Sequence, residues 1–166
     1  MELLASLLVI AQALGATVGA LSSVWGELAY IRALRDGTID DAERAHLDAI
    51  ARGLRFGMLL LLLSSLALVV LSFILRTNVQ SALSPTYWTL IVLALLIIGV
   101  AWALSRAHIS FPLGSATLFT AWWFLFFLTF GKFPALSFGA AAAFFVVATG
   151  IFYGLLQYSR FLILRK

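Results

Sequence analysis

Residues 56–75 read FGMLLLLLSSLALVVLSFIL, twenty uncharged positions bracketed by Arg55 and Arg76. A helix rises about 1.5 Å per residue, so a run of this length crosses the roughly 30 Å hydrocarbon core of a bilayer. The apolar residues are continuous rather than alternating, which excludes a strand of a membrane β-barrel. Only a helix satisfies its own backbone groups in lipid.

The same pattern recurs on both sides of this run. Uncharged stretches of 24 residues lie between Glu2 and Glu27, 29 between Arg76 and Arg106, 23 between His108 and Lys132, and 27 between Lys132 and Arg160. The spacing predicts an all-α integral membrane protein, a five-helix transmembrane bundle in a single domain, residues 1–166. The expected spans cover about 3–26, 56–75, 87–105, 111–131 and 135–159. Pro85, Pro112 and Pro134 all fall at span beginnings, where a missing N–H costs little.

Composition agrees. Of the 166 residues 63% are hydrophobic and 11% charged, against roughly 45–50% and 25% in soluble domains. A fold this small exposes too much surface to hide that excess in water. Cytosolic enzymes, nucleic-acid-binding domains and disordered chains are excluded, and no nucleic-acid partner is expected. With no cysteine there are no disulfides, thiolate metal sites or cysteine nucleophiles. The start, Met1-Glu2-Leu3-Leu4, lacks the basic region of a signal peptide, so the first segment is expected to be retained.

Eleven of the eighteen charges lie between Glu27 and Arg55. Residues 32–55 are expected to form a cytoplasmic helical hairpin that extends the first two spans. Asp36-Gly37 supplies its turn, since Gly suits the left-handed residue that ends a helix. Thr38 with Asp41 resembles a capping box. Nine of the eleven basic residues (Arg32, Arg35, Arg44, Arg52, Arg55, Arg106, Arg160, Arg165, Lys166) then share one side of the membrane. The positive-inside rule places that side in the cytoplasm and the N-terminus outside. The bacterial inner membrane is the expected location. Trp25, Tyr30, Tyr87, Trp88, Trp102, Tyr153 and Tyr158 fall near span ends, as interfacial aromatic belts require.

Chemistry-bearing residues are few. Asp36 to Glu43 matches the second half of an EF-hand calcium loop. The first cluster of ligands would fall on Arg32 and Leu34, which cannot bind calcium. His46 and His108 are the only histidines, both on the cytoplasmic side. With Asp48 or Glu43 they are the weak metal candidates. No Ser-His-Asp, HExxH, P-loop or dinucleotide pattern is present, so no enzymatic residues are expected. Glu27 is the carboxylate next to a span, and Arg32, Arg52 or Arg55 are its expected partners. Gln12 is the costliest polar residue within a span and is expected to hydrogen-bond a neighbouring helix.

Packing signals are clearer. Ala11, Gly15, Gly19 and Ser23 place a small residue at every fourth position of the first span. The fifth carries Gly139 with Ala143, and then Gly150 with Gly154. Such faces let helices approach closely, within the bundle or between copies, so a homo-oligomer or larger membrane complex is expected beside the lipid bilayer as partner. In the fourth span Phe119, Trp122, Trp123, Phe126, Phe127 and Phe130 recur at helical spacing as one stripe, with Phe124 off it. The stripe reads as a packing face against the small residues of the fifth span, or as the wall of a site for a flat apolar ligand such as a quinone, haem or isoprenoid.

Ala11-Gln12-Ala13-Leu14-Gly15-Ala16, then Trp25-Gly26, the charged hairpin and the apolar second span resemble the opening helix pair of copper-resistance D-type membrane proteins and similar small bacterial membrane proteins. The resemblance covers about the first 75 residues. It implies metal or haem handling, or transport. Where those proteins carry a His-x-x-Gly-like element, this chain has Gln12. The residues themselves favour a structural, assembly or apolar-ligand-binding role.

Overall fold

The computed structural model describes residues 2–36, 41–76, 84–132 and 136–164, with side chains except at 33–36, 41–47, 49 and 164. The described residues form five helices: α1 (Glu2–Asp36), α2 (Asp41–Leu75), α3 (Pro85–Ser105), α4 (Phe111–Thr129) and α5 (Phe138–Leu164). All five are long and apolar enough to cross a membrane. The hairpin turn at 37–40 lies outside the described residues, as do the side chains of the half EF-hand.

Local signals set the helix ends. Ser84 accepts from the Tyr87 N–H at 3.2 Å, and Pro85 opens α3 where its missing donor is not needed. The C-terminus of α4 is a Schellman turn. Gly131 has φ 63°, its N–H reaches the Leu128 carbonyl at 3.1 Å, and the Lys132 N–H reaches Phe127 at 3.0 Å. α3 ends in the same way, with His108 bonding the Ala103 carbonyl at 2.9 Å, but the left-handed position is Ala107, φ 56°.

α1 and α2 form the most extensive helix pair, and α4 packs against α1, α3 and α5. The first pair closes on glycines. A Cβ at Gly15 would meet the Gly57 carbonyl at 2.7 Å and the Leu61 nitrogen at 2.8 Å, and one at Gly57 would meet the Gly15 carbonyl at 2.8 Å. The two backbones therefore touch, an approach that only glycine permits. One turn along, Gly53 faces the Ser22 hydroxyl.

Trp122 docks on α1. A Cβ at Gly19 would lie 2.0 Å from the indole Cζ3, and Trp122 is 1% exposed. This corrects the expected seating of the α4 rings on the small residues of α5. Gly139, Gly150 and Gly154 have nothing within 4 Å of a Cβ. Among the described residues, no helix packs against the Cβ positions of Gly150 and Gly154. α5 meets α4 with its own rings: Phe144 and Phe145 lie 5.4 and 5.3 Å from Phe124, and Phe152 lies 5.1 Å from Phe119.

The aromatic stripe is accordingly not one face. Trp122 is turned into the core, Phe119, Trp123 and Phe126 are half-buried, and Phe127 and Phe130 are exposed. Phe124, which the helical spacing sets aside, is buried instead. Neighbours on two sides divide it, α1 meeting Trp122 and α5 meeting Phe119.

Candidate functional site

The site lies where α1, α4 and α5 converge near Glu27. Arg160, close to the end of α5, donates from Nη2 to the Glu27 Oε2 at 2.7 Å and to the Ser115 hydroxyl at 2.7 Å. The two charged side chains are 5% and 9% exposed. The Arg160 guanidinium also lies over the Tyr30 ring at 5.0 Å and the Phe111 ring at 5.7 Å, and these rings stack with centroids 3.9 Å apart. The aromatic faces favour the cation while shielding the pair from solvent. Ion pair and rings together tie the ends of α1, α4 and α5.

Glu27 is therefore paired with Arg160, not with the hairpin residues Arg32, Arg52 or Arg55. Helix geometry explains the correction. Arg52 and Arg55 are exposed on α2, and Arg32 is exposed on α1 beyond Glu27. α5 returns to the same end of the bundle as Glu27 and carries Arg160 at matching depth.

The pair is incompletely satisfied. Nε and Nη1 of Arg160 are buried with no hydrogen-bond partner among the described residues. Two of the neighbouring hydroxyl protons are already used. Ser115 donates to the Pro112 carbonyl at 3.2 Å, and Ser23 donates to Ala20 at 2.7 Å.

A cavity of about 270 Å³ adjoins this cluster. Glu27, Tyr30, Phe111 and Ser115 close one end, and Leu104, Leu118, Phe119 and Trp122 form its apolar walls. A second cavity of about 380 Å³ lies between α2, α3 and α4, with Met58, Leu62, Ile97 and Arg55 on its rim. Leu54, Leu118 and Trp122 line both cavities and form the partition between them. The open volume beside the buried ion pair is thus walled almost entirely by apolar surface.

The other expected residues lie elsewhere. Gln12 is buried, but its amide makes no hydrogen bond among the described residues, so the expected bond to a neighbouring helix is not formed. His108 is exposed beside Trp102, with ring centroids 5.4 Å apart. The side chain of His46 is outside those described. Among the described residues no three His, Asp or Glu side chains gather as a metal site. Trp123 carries a buried Nε1 without a partner, amid Phe119, Phe126 and Phe127.

Arg160 and Ser115 were not singled out by the sequence, although a signal exists for Arg160. Glu27 and Arg160 are the first charges beyond the first and fifth uncharged runs, opposite in sign. With an odd number of helices, those two positions come to the same end. Gly53 and Gly57 also form a Gly-x-x-x-Gly pair, the counterpart to Gly15 and Gly19. No family model, curated protein or solved structure matches this chain.

Proposed function

We propose that this chain is an inner-membrane protein of five spans that binds an apolar small molecule between its helices. The cavity beside the Glu27–Arg160 pair carries the reading. Its walls are Leu, Phe and Trp, it is open to an occupant, and a few polar groups converge at one end, the usual build of a small-molecule site.

Insertion in the membrane is supported by the outer faces of the helices. Leu63, Leu66, Phe73, Leu95, Val146 and Ile151 are each more than half exposed, and water would penalise such a surface heavily. Hydrocarbon does not. The basic residues clustered near the Glu27 end support a cytoplasmic C-terminus and an external N-terminus. On α5 only 6% of the apolar window is buried, against 44% on α4. The uncovered α5 face, with Gly150 and Gly154 open, is where we place contact with a second copy or a larger membrane complex.

Trp122 reports on the cavity that it lines. The bromine of 1-bromodecane quenches a nearby indole, so titration into detergent-purified protein should give saturable quenching that Trp122→Phe removes. Gly26 also lines the cavity, and a Cβ there meets only the Ile50 Cγ2, at 3.7 Å. Gly26→Leu, its Cβ unobstructed, should therefore add bulk to the cavity and abolish the saturable phase. Quenching that merely tracks the bromoalkane content of the micelle, equally in both variants, would overturn the reading. A visible chromophore in the purified protein would favour the haem-handling alternative.

A further inference from the structure

The second cavity, of about 380 Å³, has the form of a groove. Met58 and Leu62 of α2 and Ile97 and Ala101 of α3 form its walls, and Leu118 and Trp122 of α4 its floor. The two wall helices make no extensive contact with each other among the described residues. Leu59 and Ile98, also in the lining, are exposed on the outer surface. In a membrane the groove therefore opens sideways into hydrocarbon.

Its one charged lining residue is Arg55. Arg55 is the last charge before twenty uncharged residues, which sets it at the hydrocarbon boundary, where lipid phosphates lie. An arginine so placed lays its stem on apolar surface and holds its head in the polar layer. Arg55 is exposed and makes no ion pair or hydrogen bond among the described residues. Glu27 is taken by Arg160, and Asp48 lies seven residues back along α2, about 10 Å away.

We infer that this groove holds one acyl chain of an anionic phospholipid, whose phosphate meets Arg55. A guanidinium matches phosphate geometry with two parallel N–H donors. From Arg55 the lining continues to Leu62, about 10 Å deeper, room for roughly the first eight carbons of a chain. A free phosphate would leave those apolar walls unused. A zwitterionic lipid brings an ammonium to an end of the bundle where Arg32, Arg52 and Arg106 are also exposed. Like charges oppose it, and an anionic head group adds none.

A lipid held at such a rim exchanges with detergent, so it is supplied back to the full-length protein after delipidation. Native mass spectrometry follows the first lipid bound in titrations with dioleoyl phosphatidylglycerol and dioleoyl phosphatidylcholine. The anionic lipid should bind about fivefold more tightly, the worth of one interfacial arginine. Arg55→Gln should remove that preference, whereas Arg76→Gln, at the opposite membrane end, should keep it. Ala101→Leu, which adds bulk to the groove and leaves Arg55 in place, should weaken binding of both lipids. Glycerol phosphate, a head group without chains, should displace neither. Gly26→Leu alters only the first cavity and should leave the titration unchanged, which separates this site from the one beside Glu27. Equal affinity for the two lipids, a preference that survives Arg55→Gln, or Ala101→Leu binding as the native protein does would overturn the assignment. The two-lipid comparison on the native protein decides the matter even if a variant fails to fold.

Discussion

Replacing Gly19 with Ala adds one methyl group where the structure has no room for it. Its Cβ would fall 2.0 Å from Cζ3 and 2.1 Å from Cε3 of Trp122. Carbon contacts are comfortable at about 3.5–4.0 Å, so the indole must retreat by roughly 1.5 Å. Trp122 is 1% exposed, and the free volume on its far side is the pair of cavities that it partitions. Gly19→Ala should therefore destabilise the fold by about 1–3 kcal/mol, the usual penalty for overpacking, and weaken occupancy of the cavity as the ring moves in. Gly150→Ala is the matched control, since a Cβ there meets nothing within 4 Å. It should cost nothing and gain up to about 1 kcal/mol from helix propensity. Unfolding by increasing SDS mole fraction in mixed micelles measures both. Trp122→Leu removes the clashing ring, so in a Gly19→Ala/Trp122→Leu cycle the two losses should not add, with a coupling on the order of 1–3 kcal/mol. A Gly19→Ala variant as stable as Gly150→Ala, or strictly additive losses, would refute the docking of Trp122 on α1.

Other consequences are open to measurement. Arg160→Met and Glu27→Leu should each cost about 3–5 kcal/mol by stranding a buried charge, whereas the double variant should recover most of that loss; SDS titration of the three variants checks this. Ala107→Gly should stabilise the protein by about 1 kcal/mol, because Ala107 holds the left-handed turn position that Gly131 fills at the end of α4, and would be seen as a raised melting temperature. Cysteines replacing the exposed Asp48 and Thr86 should label from opposite sides of intact cells, with only Thr86→Cys reached by an impermeant external reagent.

The five helices were legible because uncharged runs long enough to span a bilayer are a one-dimensional signal. Prolines and charges marked their ends. The close approach at Gly15 and Gly19 was legible too, but not its partners: helical spacing shows that a face is small without saying which helix fills it. Gly15 meets Gly57 of α2, and Gly19 meets Trp122 of α4. The aromatic stripe misled for the same reason. Six rings at one spacing look like one surface, yet α1 takes Trp122 while α5 takes Phe119. The Glu27–Arg160 pair joins residues 133 positions apart. It depends on which helix ends meet, so local pattern offered three nearer arginines instead. The unfilled donors of Arg160 and the cavity beside it are properties of packing, with no counterpart in the sequence.

The most direct test of the account is native mass spectrometry of the full chain extracted from its own membrane, compared with Gly26→Leu extracted in the same way. The native protein should carry a noncovalent apolar molecule, and the Gly26→Leu protein, equally folded, should not. A native protein that flies bare, or one whose bound molecule persists unchanged in Gly26→Leu, would contradict the claim that the cavity beside Glu27 and Arg160 is a binding site.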